Sequence, residues 1–230
     1  MRNAALPTVC RCLLVLILGA LLGVRCRRWL YRHVLGYSID SRANIGIIYL
    51  RVIEAELGPD SRIGHFSVIR NLHRLELSAN ASIGTFNWVF GMLDSGEHFV
   101  ADVGRRSELI MERDSALTSR HIIDCTNTVC IGSFSTIAGF NCQLLTHGIN
   151  IVANRQESAP IIIGKHCLVG SACIILKGSI IPDGSVIGAG SVFRGQPSQG
   201  YQLYSGVPAK PIKALPHQLA YFIRETGAVR

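Results

Sequence analysis

"IIIGKHCLVGSACIILKGSIIPDGSVIGAGSVF", Ile161 to Phe193, keeps a period of six. Ile163, Val169, Ile175, Ile181, Ile187 and Phe193 are all large and apolar. The position four after each of the first five is Cys167, Cys173, Ser179, Ser185 or Ser191, always small. An amphipathic helix repeats every 3.6 residues and a half-buried strand every 2, so neither explains the pattern. Six residues accommodate a short strand plus a tight corner, with the large residue inward and the small one in the crowded turn. Gly164, Gly170 and Gly188 follow their apolar residues, where backbones crowd. Stacked corners of this kind make a parallel β-helix around one continuous core.

The ladder extends upstream with interruptions. Ile45, Leu57, Ile63, Ile69 and Leu75 hold one phase, with Arg51 as a defect, and Ile83 and Val89 shift it by two. Leu93, Phe99, Met111, Leu117 and Ile123 hold another phase with Arg105 out of place, and Ile131 and Ile137 follow a further slip. The next position is Gln143, after which the ladder stops until Ile163. The reading divides the chain into an N-terminal segment (1–36), a β-helix (37–213) and a C-terminal helix or tail (214–230), in which Leu215, Leu219, Phe222 and Ile223 stand at helical spacing.

At 230 residues and 48% hydrophobic content the chain has ample material for a core. Its charge of +8 points to an acidic partner, but 7% aromatic content and the lack of any nucleic-acid-binding signature argue against nucleic acid. The 8 cysteines form no CxxC pair and no zinc-like spacing with histidine. They read as reduced thiols used as small apolar residues, so the expected location of the main domain is the cytosol. "LLVLILGALLGV", Leu13 to Val24, is uncharged, and Arg25, Arg27, Arg28 and Arg32 follow at once. A span needs about 20 apolar residues. The segment is therefore expected to anchor the chain to a membrane, as a short span or as an interfacial helix with Trp29 and Tyr31 at the interface. The four arginines would lie among cytoplasmic headgroups.

"TIAGFNCQLLTHG", "IGAGSV" and "YSGVPAKPIK" carry a resemblance to the hexapeptide-repeat acyltransferases. The chain looks most like the O-acetyltransferases of bacterial capsule and lipopolysaccharide synthesis. The resemblance implies a left-handed parallel β-helix, a homotrimer, acetyl-CoA as co-substrate with no metal, and a sugar or glycolipid acceptor at the cytoplasmic face of the bacterial inner membrane. It also implies a histidine base near a protruding loop.

His147 meets that description. It lies where the ladder breaks, before a long excursion from Gly148 to Pro160, and long loops in compact repeats are usually functional. Imidazole suits the task because its pKa lies near the pH of the cell. His121 and Asp124 in "SRHIIDC" lie one coil earlier and are expected to bind the acceptor, with His121 alternatively a second base and Asp124 alternatively orienting a base. For the co-substrate, the family resemblance assigns Lys210 and Lys213 to the CoA phosphates, with Arg194 and Lys177 the next basic candidates. Gly170, Ser171, Ala189 and Gly190 have little side chain and would let a pantetheine arm lie against the backbone. Cys142 lacks a flanking base and is a weak nucleophile candidate. Three alternatives stay open: N-acylation of a nucleotide-linked amino sugar, a gamma-type carbonic-anhydrase-like metalloenzyme using His121, His147 and His166, and a non-catalytic scaffold.

Overall fold

The computed structural model describes residues 7–93, 98–99 and 102–229. Short parallel strands stack coil upon coil into a prism with three faces. Ile39, Leu57, Leu77, Met111, Ile131, Ile163 and Ile181 are in register up the first face. Ile45, Ile63, Ile83, Leu117, Ile137, Val169 and Ile187 climb the second. Leu50, Ile69, Val89, Ile123, Leu144, Ile175 and Phe193 climb the third. All are buried. Fully burying such a side chain is worth roughly 1.5–3 kcal/mol, so the columns are the main stabilising feature. This is a left-handed parallel β-helix, the fold the period implies.

Corners recur at three edges, the first edge lying between the first and second faces, and so on round. Their geometry explains the small residues. His166, Ala172, Gly178, Gly184 and Gly190, each six after the last, all turn with positive φ. The serines and cysteines that follow at 167, 173, 179, 185 and 191 are buried inside the corners. Ser179 and Ser191 donate their hydroxyls to Leu176 O and Gly188 O.

The ladder differs from the sequence reading at several places. Leu50, not position 51, fills the first coil, because the corner between Ile45 and Leu50 is one residue shorter than that between Ile63 and Ile69; Arg51 instead donates to Asn71 Oδ1. Leu77 takes the column place on the first face, although Leu75 is buried as well. Leu144 replaces Gln143, since the corner before it carries one extra residue. Leu93 and Phe99 belong to no coil. The chain leaves the prism at the third edge after Phe90 and returns at Glu108, and it leaves the same edge again between Leu145 and Ile161. Two excursions therefore issue from one edge, and the corner between them, from Ile123 to Ile131, is two residues longer than the regular one from Ile175 to Ile181.

Both ends of the prism are covered. The helix α1 (Thr8–His33) breaks at Gly23, whose φ is 76°. Its side chains meet the otherwise unpaired carbonyls of the first coil: Arg27 Nε donates to Ile45 O at 2.9 Å, Arg28 to Ala43 O, Arg32 to Ile39 O and Tyr31 Oη to Ile48 O. Arg27, Arg28 and Arg32 thus cap the prism and do not extend toward headgroups. At the other end Gln202–Gly206 continues the second face and Ala209–Ala214 folds back antiparallel against it, covering the sheet edge. Beyond it only Ala220–Ile223 is helical (α2), because the tail is held extended along the first edge. Tyr221 Oη donates to Cys167 O, Arg224 to Phe134 O and Gly227 N to Asp114 Oδ1. Phe222 is buried edge-on to Tyr201.

Candidate active site

Asp124 ends a strand of the third face, and its carboxylate turns into the third edge, fully buried. Oδ1 accepts the Thr126 amide at 2.9 Å; Oδ2 accepts the amides of Thr146 at 2.9 Å and His147 at 3.1 Å. The same Oδ2 lies 2.6 Å from His147 Nδ1. An ionised carboxylate only accepts, so Nδ1 carries the proton and the Nε2 lone pair is left for the cleft. No described residue hydrogen-bonds Nε2. Burial alone would raise the Asp124 carboxyl, but bonds from His147 and Thr126 outweigh it and hold the pKa below the ordinary carboxylate value. The hydrogen bond to Asp124 in turn raises the His147 imidazole above its ordinary value, against the opposing effect of burial.

Around the imidazole the two excursions meet. The second is a hairpin, His147–Asn150 against Arg155–Ser158, with His147 opposite Ser158. The first brings Phe99 edge-on to the His147 ring, centroids 6.0 Å apart. Arg105 lies 4.8 Å over the Phe99 ring and donates to Met92 O and Thr126 O. Asp102 accepts both Ser158 N at 2.5 Å and Ser158 Oγ at 2.7 Å, tying one excursion to the other. By spacing Phe99 and Arg105 count as ladder positions, and nothing in the sequence singles out Asp102 or Ser158; an arginine at a core position is the one signal that the chain leaves the prism there.

His147 opens onto a cleft of about 370 Å³, lined also by Leu145, Gly148, Ile149, Asn150, Glu157, Leu176, Lys177 and Arg194. Lys177 is 3.7 Å from Glu157.

The other expected site residues lie elsewhere in the chain. His121 stands at the second edge, 1% exposed. Its Nδ1 accepts the Cys142 amide at 3.0 Å, so Nε2 carries the proton toward Thr118 Oγ1 at 2.9 Å. Burial pushes its pKa down to about 4. Both nitrogens are consumed in holding the corner, so His121 has no atom left for an acceptor. Asp124 likewise has its carboxylate spent on His147 and backbone amides, so of the two roles expected for it the geometry matches the orienting one. Gly170 is a tight corner, since an added Cβ would lie 2.7 Å from Ala189 N. Ser171 is half-buried beside it, whereas Ala189 and Gly190 are exposed on the same second edge, with open space beyond Gly190. Lys210 and Lys213 are exposed on the returning strand. Cys142 is buried and its thiol is pushed up to about 11 by burial. His166 stacks on Phe134 at the first edge, so the three histidines of the metalloenzyme alternative occupy three different edges of one chain.

Residues 160–193 match the family model described as "Hexapeptide repeat of succinyl-transferase". No curated protein matches the chain. Among solved structures, the polysialic acid O-acetyltransferase OatWY superposes with a TM-score of 0.63 at 18% identity, over 80% of this chain and 90% of its own. The polysialic-acid-specific acetyltransferase NeuO gives 0.45 at 19%, over 77% and 86%, and the N-acyltransferase AntD of Bacillus cereus gives 0.45 at 16%, over 78% and 81%. Repeat and fold are those of the hexapeptide-repeat acyltransferases. The reaction that these neighbours share is acyl transfer, and AntD was crystallised with coenzyme A.

Proposed function

We propose that this chain transfers the acetyl group of acetyl-CoA to a sugar hydroxyl of a surface-polysaccharide or lipopolysaccharide precursor, with His147 as general base and Asp124 as its orienting carboxylate. The observation that carries the reading is the His147–Asp124 hydrogen bond at the mouth of a cleft. A bound hydroxyl would give its proton to Nε2 while its oxygen attacks the thioester carbonyl. The C–S bond then breaks, and the imidazolium returns the proton to the departing thiolate. Asp124 stabilises the imidazolium between those events.

In this reading Lys210 and Lys213 meet the CoA phosphates, and the small second-edge residues Gly170, Ser171, Ala189 and Gly190 leave room for the pantetheine arm. None of these groups lies on the third edge with His147, so a neighbouring subunit would have to bring them together. An exposed apolar strip supports such an assembly. Phe66, Phe86, Trp88, Ile122 and Phe140 are each at least 41% exposed along the second edge and third face, and Phe66 and Phe86 are 5.1 Å apart. The homotrimer places its catalytic clefts between subunits, at the cytoplasmic face of the bacterial inner membrane.

The test is purified protein with acetyl-CoA and a panel of oligosaccharides, reading thiol release and the mass of the product. An ester-linked acetyl group on a hydroxyl supports the proposal. Acetylation confined to an amino sugar, as an amide, would replace it with N-acylation.

A further inference from the structure

The N-terminal helix has a geometry that composition alone does not show. Gly23 breaks it, and Arg27 Nη1 donates back to Gly19 O at 2.9 Å. Arg11 Nη1 approaches Val34 O at 3.4 Å, so the start of the helix returns beside its end. The two halves form a hairpin. The first half, residues 8–22, is about 22 Å long at 1.5 Å per residue, short of the ~30 Å hydrocarbon core. Both halves lie against the prism, the second through Arg27, Arg28 and Arg32 and the first through Val15, which is fully buried in the prism's core.

The outer surface of this hairpin is uncovered and apolar. Leu13, Leu14, Ile17, Leu21, Leu22 and Trp29 are between 41% and 77% exposed, with Ile17 and Leu21 on a groove that they share with Tyr49, Phe66 and Val68 of the prism. Residues 1–39 contain no Asp or Glu, and Arg25 is exposed just past the break. An apolar surface beside an exposed arginine, with no acidic residue near it in sequence, is complementary to anionic lipid headgroups over acyl chains.

We propose that the α1 hairpin lies along a single leaflet of an anionic bilayer with its exposed apolar face among the acyl chains, leaving the start of the helix and the β-helix on the same side. The inference refines the membrane placement of the proposed function and does not depend on the identity of the acceptor. The full chain carries a protease-cleavable tag at each end and is expressed in a bacterium, and inverted membrane vesicles are treated with protease. Both tags should be removed without detergent. An N-terminal tag protected until detergent is added would mean a true span and overturn the proposal. In parallel, purified protein should float with phosphatidylcholine/phosphatidylglycerol vesicles, more weakly with phosphatidylcholine alone. The double variant Leu13→Glu/Leu22→Glu should lose flotation at least tenfold with an unchanged thermal unfolding midpoint, because both side chains are exposed and neither lines the groove beside Phe66. Undiminished flotation, or a face covered by a second copy in light scattering with no lipid binding, also overturns it. Acetyl transfer to a soluble acceptor, assayed on the same samples, reports separately on the proposed function.

Discussion

His147 and Asp124 are 23 positions apart in the chain, yet Nδ1 of one lies 2.6 Å from Oδ2 of the other. The contact exists because both residues reach the third edge, one coil apart, and three backbone amides hold the carboxylate still. A buried carboxylate that fixes the imidazole tautomer and stabilises its cation is what a base needs to work repeatedly.

Removing a well-placed base typically costs on the order of 10² to 10⁴ in rate. His147→Ala and His147→Asn should lower kcat by that much, while acetyl-CoA still binds and the unfolding midpoint changes little. Near-normal kcat in either variant, measured by thiol release, would demote His147 to a corner residue.

The pH profile tests the partner. His147 must be neutral to accept a proton, and Asp124 raises its pKa, so activity should fall on the acid side through a value above the ordinary 6.5. Asp124→Asn should move that limb to lower pH and reduce the plateau. For stability, the raised imidazole contributes below its unfolded pKa and that contribution is lost as pH rises through its folded value. The depressed carboxyl contributes above its unfolded pKa and that is lost as pH falls through its folded one. The Tm difference between wild type and Asp124→Asn should therefore be largest between the two unfolded values, 3.8 and 6.5, and shrink as pH passes either folded value.

Asp102 holds the roof of the cleft through Ser158. Asp102→Ala should free the hairpin, raising KM for the acceptor several-fold with KM for acetyl-CoA unchanged. Hydrogen exchange of the Ser158 amide should speed up, whereas equal effects on both substrates would show that the latch does not act on acceptor binding.

The register shift at the last corner before the hairpin predicts opposite outcomes for neighbouring residues. Leu144 is buried and Gln143 is not. Leu144→Ala should cost about 2–5 kcal/mol, and Gln143→Ala within about 0.5 kcal/mol, by denaturant unfolding. A reversal of these two costs would restore the unshifted ladder.

Replacing Lys210 and Lys213 together with Ala should raise KM for acetyl-CoA, and much less for a short thioester lacking phosphates. If neither KM moves, the phosphates lie with Lys177 and Arg194 in the cleft.

What the sequence by itself determined was the repeat. A column of stacked coils demands a large inward residue on each face and a small one in each corner. Those demands are local, so from Ile163 to Phe193 they are legible without any contact map. The break at His147 is legible for the same reason, because an interruption stands out against a strict period. Tertiary structure decided the rest. Leu93, Phe99 and Arg105 continue the count of six by spacing alone, and only the return of the chain at Glu108 shows that they stand outside the prism. His121 and His147 are the same residue type near the same strands, yet burial leaves one neutral at a second-edge corner and a carboxylate raises the other at a cleft. Coil stacking decides which edge each residue reaches, and that is a long-range property of the whole chain. The hairpin in α1 is a case of the same kind, since twelve apolar residues specify a preference for lipid but not whether Gly23 turns the chain back.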